Sequence, residues 1–378
     1  MLLDERKRNI LKAVVDDYIA TAEPVGSKAL VNRYHFNVSS ATIRNEMAEL
    51  EDQGYLEQPH TSAGRIPSDK GYRAYVDSLL QIEDLTAAEE EKIRVVMRNS
   101  LDELTGMIRR ASTLLSEKTG YTSLALSPKL NHSHLQQIKM LMIEPGRALV
   151  VVVLSAGVVK DRLARVPEVL DAAQLAQIAA AIEEGLSGMK LDDITLVTVA
   201  TAARNIRLPE NLLNQVMYEA YVAIKQADNL EVYMEGSHKL LSYPEFQDVH
   251  KAREYLDILN RDGIIAGYMT ELKEPSILIE DDEDSDPDDH AETSPARPRA
   301  SYVVRIGQEI MLEGLTDCSF VTTTYKMGDV VAGRIGVIGP RRMAYGKVIS
   351  NISFIKQILN EEIRRLTTGE DRMEVHQK

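Results

Sequence analysis

A short segment near the amino terminus carries side chains suited to hydrogen bonding with an extended polar partner. It combines small, hydroxyl, amide and guanidinium groups within seven positions: Ser39, Ser40, Ala41, Thr42, Arg44 and Asn45. An asparagine amide can pair with two polar atoms on an adenine edge, and an arginine with those of guanine or with a phosphate. If the segment opens a helix, the free N–H groups and the positive end of the helix dipole also favour phosphate. These residues therefore indicate nucleic-acid recognition.

The pattern around these residues predicts one helix that places them on its exposed side. Ser39 or Ser40 is a suitable N-cap, and Gly54 suits the left-handed position after a helix that runs to Gln53. At about 100° per residue, three apolar residues fall together and predict the buried side: Ile43, Met47 and Leu50. The opposite side carries Ala41, Asn45, Ala48, Glu49 and Asp52, flanked by Thr42 and Arg44. The acids lie in the C-terminal half, so the N-terminal half suits a groove of DNA.

Two shorter patterns precede this helix and a hairpin pattern follows it. Apolar spacings of three and four predict a helix over 4–21, and Ser27 is expected to cap a second one over 28–34. Strands are predicted at 55–58 and 66–67. This order is that of a winged helix-turn-helix, in which residues 60–75 read as a basic loop along phosphates or in the minor groove. The DNA contacts predicted for the wing and the segment after it are His60, Thr61, Ser62, Arg65, Lys70 and Arg73.

Plainer interpretations of these patterns stay open at this point. A short, capped helix of mixed charge can be an ordinary solvated surface helix, and a basic loop can be ordinary surface. A winged helix can also bind protein in place of DNA. Tyr72 and Tyr75 are expected to pack the wing against the first helix, which all of these interpretations allow.

The net charge does not exclude a nucleic-acid partner, because the acidity is concentrated in one run. The chain of 378 residues, long enough for two or three domains, has a formal charge of −14. The first 80 residues carry 10 Lys and Arg against 12 Asp and Glu, whereas Glu280 to Glu292 holds nine acids and no base. With three prolines and almost no large apolar side chain, 281–298 predicts a disordered loop.

Cysteine usage and hydropathy predict a cytoplasmic protein. The single cysteine, Cys318, cannot close an intramolecular disulfide, and its apolar strand pattern predicts a buried thiol rather than a nucleophile. The first residues lack the apolar core of a signal peptide. The longest nearly unbroken apolar run, 148–159, has 12 residues, fewer than the ~20 that cross a bilayer. No contact with a membrane is predicted.

The rest of the chain alternates between helical and strand patterns, which predicts an α+β, multidomain protein. A charged pattern over 86–118 predicts a connecting helix, and Pro145-Gly146 suits a turn between strands at 135–143 and 148–154. Further helices are predicted over 168–189, 208–226, 244–260 and 352–366, and strands over 303–307, 318–325 and 330–338.

No group of side chains has the spacing of a catalytic or metal site. Gly333, Gly336 and Gly339 recur at intervals of three without the Gly-Lys-Ser/Thr of a phosphate-binding loop, and are expected at strand ends. His132 and His134 could chelate a metal but lack a carboxylate or cysteine at ligand spacing. The sequence therefore predicts no enzymatic activity, no cofactor and no metal.

Three blocks of sequence carry a family resemblance. Residues 38–51 read VSSATIRNEMAELE, followed by GYL at 54–56 and HTSAGRIPS at 60–68. Residues 336–345 read GVIGPRRMAY, and residues 244–246 read PEF. In this order they resemble the bacterial heat-inducible transcription repressor family, HrcA.

The resemblance implies a homodimer that binds an inverted-repeat operator in double-stranded DNA upstream of chaperone operons. It also implies dependence on the GroEL chaperonin, so that heat inactivates the repressor and derepresses the genes. The implied domains are a winged helix-turn-helix over 1–80, a GAF-like domain over 119–190 and 301–378 and an inserted dimerisation domain over 191–270. The sequence patterns add a linker helix over 81–118 and an acidic disordered loop over 271–300.

Two other functions are weighed against this one. The first is a metabolite-responsive regulator whose GAF-like core binds an inducer. The second is an enzyme with an accessory DNA-binding module, against which the lack of an acid/base, metal or nucleophile group argues.

Overall fold

A computed structural model describes residues 3–61, 63–98, 104–128, 133–155, 158–272, 277–280, 299–327 and 330–368. The helices are α1 (Glu5–Thr21), α2 (Ser27–Tyr34), α3 (Ser40–Asp52), α4 (Asp69–Ser78), α5 (Ala87–Arg98), α6 (Leu104–Thr119), α7 (Ala172–Leu186), α8 (Leu196–Ala202), α9 (Glu210–Gln226), α10 (Val249–Leu259), α11 (Asp262–Glu271) and α12 (Tyr345–Thr368). The strands are β1 (Leu56–Glu57), β2 (Ile66–Pro67), β3 (Thr122–Leu126), β4 (Leu135–Glu144), β5 (Arg147–Leu154), β6 (Val159–Arg165), β7 (Val232–Glu235), β8 (Ile277–Glu280), β9 (Arg299–Ile306), β10 (Cys318–Met327) and β11 (Val330–Pro340). Short 3-10 helices lie at Leu191–Asp193, Ser237–Ser242, Pro244–Phe246 and Gly307–Ile310.

The N-terminal unit, residues 3–78, contains α1 to α3, the β1–β2 hairpin and α4 in the predicted order. β1 and β2 pair antiparallel, with Leu56 opposite Pro67. Apolar side chains from α1, α2, α3 and β1 fill its centre and are fully buried: Ile10, Leu11, Val14, Leu30, Ile43, Leu50 and Leu56. The apolar stripe of α3 thus faces inward, as its spacing predicts.

Two local predictions in this unit are wrong. Ser27 is the first residue of α2 and not its N-cap. Residues 60–75 do not form one loop, because the Ser68 hydroxyl accepts a bond from a backbone N–H and caps α4 at 3.0 Å. Lys70 and Arg73 therefore project from a helix and not from the wing.

Most of the chain after α4 is built on an antiparallel sheet of six strands in the order β7-β3-β11-β10-β9-β8. Helices α6 and α12 pack on one face of this large sheet. On the other face, α10, α11 and the 3-10 helices before them bury Tyr255, Leu259 and Phe320. Because both faces are covered, consecutive residues of β3 are all buried, a pattern that alternation along a half-exposed strand does not give.

A separate three-stranded sheet, β4-β5-β6, lies in the chain between β3 and β7. Helices α7 and α9 pack on its inner face. The predicted boundaries are wrong here: strands within 119–190 leave the large sheet, whereas β7, inside the predicted insertion 191–270, pairs with β3. The interruption of the large sheet therefore runs from β4 to α9. The hairpin signal at 135–154 predicts which strands pair, but not which sheet they join.

Three further predictions meet different outcomes. The connecting helix consists of α5 and α6, whose described residues end at Arg98 and resume at Leu104. α12 begins at Tyr345, earlier than the predicted 352. The acidic run 281–298 lies outside the described residues. In the described part of the chain, no helix is both long and apolar enough to cross a bilayer.

The part of the chain that is built on the six-stranded sheet is called the large-sheet domain below. Two carboxylates join the N-terminal unit to it. Asp69, the first residue of α4, accepts a bond from Arg341 Nη1 at 2.8 Å and from the Gln308 backbone N–H at 3.1 Å. Glu309 accepts a bond from Arg73 Nε at 2.9 Å. α4 is thereby held against β9 and the 3-10 helix that follows it.

Replacing Gly307 by alanine tests this junction. Gly307 has a φ of +56°, and a Cβ there would lie 2.2 Å from Asp69 Oδ2. We expect Gly307→Ala to displace Asp69 from Arg341 and to lower the free energy of unfolding by about 1–3 kcal/mol. Thermal unfolding and limited proteolysis between α4 and α5 measure the effect. Gly263→Ala is the control, because a Cβ at Gly263 meets no atom within 4 Å; an equal Tm for the two variants would contradict the prediction.

Candidate nucleic-acid interface

The N-terminal half of α3 presents its polar side to solvent. Ala41, Arg44 and Asn45 are exposed, and Ser40 and Thr42 are half-buried. Neither the Arg44 nor the Asn45 side chain has a hydrogen-bond or ion-pair partner among the residues that the structure describes. The two side chains with the chemistry to read base edges are therefore both free to do so.

Ser39 fixes the start of α3. Its hydroxyl accepts a bond from the Thr42 backbone N–H at 3.1 Å and lies 3.0 Å from the Thr42 hydroxyl. The predicted choice between two caps is thus resolved in favour of Ser39, with Ser40 as the first helical residue. Because this hydroxyl already satisfies one N–H, it orders the end of the helix that would approach a phosphate.

The tip of the wing is held by its own polar contacts. The Gln58 side-chain amide donates to the carbonyls of Thr61 and Ala63 at 3.1 and 3.0 Å. His60 and Thr61 are exposed, whereas Ser62 lies outside the described residues. Two of the predicted wing contacts, His60 and Thr61, are therefore accessible.

Arg65 has a different environment from the one that the sequence predicts. Its backbone exchanges two hydrogen bonds with Val25, both at 2.9 Å, which tie the wing to the segment before α2. Its guanidinium pairs with Glu51 of α3 at 2.8 Å, and only 17% of the side chain is exposed. In this structure Arg65 neutralises an acid of α3.

The two basic residues after the wing, Lys70 and Arg73, contact other parts of this chain. Lys70 Nζ donates to the Gln53 carbonyl at 2.8 Å and lies 4.3 Å from the centre of the Tyr55 ring. Arg73 pairs with Glu309 and Asp77 and donates to the Val304 carbonyl, so it belongs to the junction between the two units.

The two tyrosines predicted to pack against the first helix are both buried. The Tyr75 hydroxyl donates to Asp16 of α1 at 2.7 Å, and burial together with this carboxylate raises the pKa of Tyr75. Tyr72 lies beside Tyr345 of α12, with ring centres 6.3 Å apart. α4 thus packs on both α1 and the large-sheet domain.

Sequence reasoning missed a cation that contacts the other side of α3. Lys7, in the first turns of α1, has its ammonium 3.1 Å from Glu46 and 3.0 Å from Glu49, as well as 3.0 Å from Asp4. Arg6 also approaches Glu46, at 3.5 Å. No sequence signal links α1 to these acids, because the pairing depends on how the two helices pack.

The other candidate groups show no catalytic arrangement. Cys318 is buried and free, and burial raises the pKa of its thiol. His132 lies outside the described residues, and those that are described contain no cluster of three or more metal-ligating side chains. Gly336 lies inside β11 and not at a strand end; a Cβ there would meet the Val321 carbonyl at 2.3 Å, so it permits close strand packing.

One cleft in the large-sheet domain has room for a small molecule. It has a volume of about 190 Å³ and lies where β3, β11 and α11 meet, with apolar walls from Leu126, Met269 and Val331. The Arg334 guanidinium lines it and donates to the Leu272 carbonyl, and burial lowers the pKa of Arg334. An inducer of the kind that the metabolite hypothesis needs would be sought here.

Known proteins resemble this chain along almost its whole length. Residues 105–349 match the family model described as the HrcA protein C terminal domain. The heat-inducible transcription repressor HrcA of Ruminiclostridium cellulolyticum is 41% identical over 367 residues, which cover 97% of this chain and 99% of that relative. The HrcA of Acetivibrio thermocellus is 38% identical over 366 residues, covering 97% and 98% of the two chains.

One solved structure shares the fold. It is a crystal structure described only as that of a hypothetical protein at 2.2 Å resolution, with a TM-score of 0.58 and 22% identity. The match covers 96% of this chain and 98% of that chain.

The sequence blocks that carry the resemblance lie in both halves of the chain, and the relatives align across all of them. The family identified from these blocks is therefore confirmed. This chain belongs to the HrcA family of heat-inducible transcription repressors, whose members are regulators and not enzymes.

Proposed function

We propose that this chain represses heat-shock operons by binding an inverted-repeat operator in double-stranded DNA as a homodimer, under the control of the GroEL chaperonin. The observation that carries the proposal is the pair Arg44 and Asn45 on the N-terminal half of α3, which is exposed and has no partner among the described residues. In a major groove, such a pair reads guanine and adenine edges. His60 and Thr61 at the wing tip are placed to contact the neighbouring backbone.

The homodimer follows from the selectivity that a repressor needs. Each correctly read base pair adds only about 1–3 kcal/mol, so one α3 helix reads too little sequence to select a site in a genome. Two α3 helices related by a two-fold axis match the symmetry of an inverted repeat. The function therefore needs a surface at which two copies meet.

The outer face of the three-stranded sheet supports this part of the proposal. Its outward positions form apolar rows across the strands, with Leu141, Leu149 and Leu163 in one row and Val153 opposite Val159 in another. Leu141 is 56% exposed and Leu163 is 53% exposed. An apolar sheet face that no described element covers, in a chain whose six-stranded sheet is covered on both faces, is typical of an interaction surface.

The same face gives the chaperonin a physical target. A monomer released by heat leaves these leucines and valines in water, and a chaperone that binds non-native chains competes for such surface. A repressor near its stability threshold converts a change of about 1–2 kcal/mol into a several-fold change in active protein. When heat occupies the chaperonin with other clients, the active dimer falls and the operons are derepressed.

Base reading is tested by truncating the two free side chains. Arg44→Ala and Asn45→Ala should each weaken binding to the operator by about 5- to 150-fold, because each loses a base contact worth about 1–3 kcal/mol. Binding to a scrambled duplex should change much less. Fluorescence anisotropy with both duplexes measures the ratio of the two affinities.

Exposed residues outside this face provide matched controls for these variants. Arg110→Ala on α6 and Asn32→Ala on α2 remove an exposed side chain of the same type from another surface. Both should keep the operator preference of the unmodified chain. If Arg44→Ala and Asn45→Ala also keep it, α3 does not read the bases.

The dimer surface is tested by introducing a charge. Leu163→Arg should convert the dimer to monomer in sedimentation experiments, because two guanidinium groups would have to be buried facing each other. Binding to the full inverted repeat should fall to the level of one half-site, while binding to an isolated half-site stays unchanged. Val197→Arg, at a residue of α8 that is 73% exposed, is the control and should remain dimeric.

Control by the chaperonin is tested by a heat cycle. After a heat step, operator binding should recover when chaperonin and ATP are supplied and remain low without them, because the non-native chain needs chaperonin to regain the active dimer. A gel shift on the inverted-repeat chaperone operator measures the recovery. An affinity that responds to a small molecule and not to chaperonin would favour the metabolite-responsive regulator instead.

A further inference from the structure

Several acidic residues lie on α3, the helix that is proposed to contact DNA. It carries Glu46, Glu49, Glu51 and, as its last residue, Asp52 besides Arg44, and the duplex that it would approach is a polyanion. On a helix, Glu46 lies one turn after Thr42, and Glu51 lies two turns after Arg44 on the same flank. Both flanks of the reading surface would therefore repel phosphate if these carboxylates were bare.

The structure shows a cation from outside α3 on each flank. On one side, Lys7 Nζ lies 3.1 Å from Glu46 and 3.0 Å from Glu49. On the other, Arg65 Nη2 lies 2.8 Å from Glu51. Glu46, Glu49 and Glu51 are thus each within ion-pair distance of a base that the sequence pattern did not link to them, whereas Asp52, at the C-terminal end of α3, forms no ion pair with the described residues.

Lys7 is the more consequential of the two bases, because it serves two of the acids. Its side chain is only 15% exposed, as is that of Glu46, whereas that of Glu49 is 58% exposed. Its hydrogen bond to Asp4 and the neighbouring carboxylates of Glu49 and Glu46 raise the pKa of Lys7, so the ammonium stays charged. A lysine so placed is poorly positioned to grip a phosphate itself.

We propose that Lys7 is a positioning residue for DNA binding, which neutralises Glu46 and Glu49 so that α3 can approach an anionic duplex. Lys7 acts through these carboxylates and does not touch DNA. This role rests on the proposed function of α3. Its removal should weaken binding to every sequence, because charge repulsion from phosphates does not depend on the bases. The ratio of operator to scrambled-duplex affinity should stay the same.

The experiment measures anisotropy of the full chain on operator and scrambled duplexes at about 50 and about 200 mM salt. Lys7→Met should weaken binding to both duplexes by about tenfold at the lower salt and by less at the higher, since salt screens the exposed charges. Lys7→Arg should retain binding. Adding Glu46→Gln and Glu49→Gln to Lys7→Met should restore it to within about twofold.

Glu49→Gln alone separates charge neutralisation from a structural role. If Lys7 neutralises a repulsive acid, this variant should tighten binding to both duplexes several-fold at low salt without raising Tm, because the domain loses one negative charge. Lys12→Met is the control for Lys7→Met, since Lys12 pairs with Asp16 within α1 and not with α3.

Two results would overturn the proposal. One is unchanged or weaker binding by Glu49→Gln, and the other is a Lys7→Met variant that changes only the operator preference. Both are distinct from failure of the proposed function, which would appear as an unmodified chain that does not prefer the operator over the scrambled duplex.

Discussion

The orientation of α3 depends on the burial of one apolar stripe, and the rest of the candidate interface depends on that orientation. Ile43 and Leu50 are fully buried and Met47 nearly so, and each such side chain contributes about 1.5–3 kcal/mol when it leaves water. A rotation that exposed them would also carry Arg44 toward the core, where an unpaired guanidinium costs several times more. Exposing the apolar side chains and burying the Arg44 guanidinium both raise the free energy of the folded unit. Arg44 and Asn45 therefore face solvent in every low-energy packing of this unit.

An outward polar face is necessary for reading DNA but does not by itself attract a polyanion. The chain has a net charge of −14, and its first 80 residues hold fewer bases than acids. What distinguishes α3 is the local arrangement, in which Lys7 and Arg65 pair with acids on opposite flanks and Arg44 has no partner among the described residues. Attraction to phosphate falls off over about 10 Å at moderate salt, so the charges around α3 matter more for its approach to DNA than the net charge of the whole chain.

Local elements were predictable from sequence, whereas partners across the fold were not. α3 was expected from Ser39 or Ser40 to Gln53 and spans Ser40–Asp52, because caps and a 3.6-residue period are local signals. The strands at 135–154 paired as predicted but joined a different sheet, since sheet membership depends on contacts far along the chain. The partners of the basic side chains were not predictable for the same reason. Arg73 was predicted to contact DNA, yet it pairs with Glu309, which lies 236 residues further along the chain.

In the proposed dimer, the contact between α4 and the large-sheet domain would determine whether two α3 helices can bind one operator together. Half-sites of an inverted repeat lie about 34 Å apart, and a freely swinging N-terminal unit would present its second helix at a low effective concentration. The part-exposed ion pairs at Asp69 and Glu309 each contribute only about 0–1 kcal/mol, so they cannot by themselves hold the unit. The fully buried rings of Tyr72 and Tyr345 supply the larger free energy, since the burial of each aromatic side chain is worth about 1.5–3 kcal/mol. Apolar packing therefore provides the strength of the junction, whereas the ion pairs fix its angle, and a fixed angle in each protomer lets the symmetry of a dimer set the spacing between half-sites.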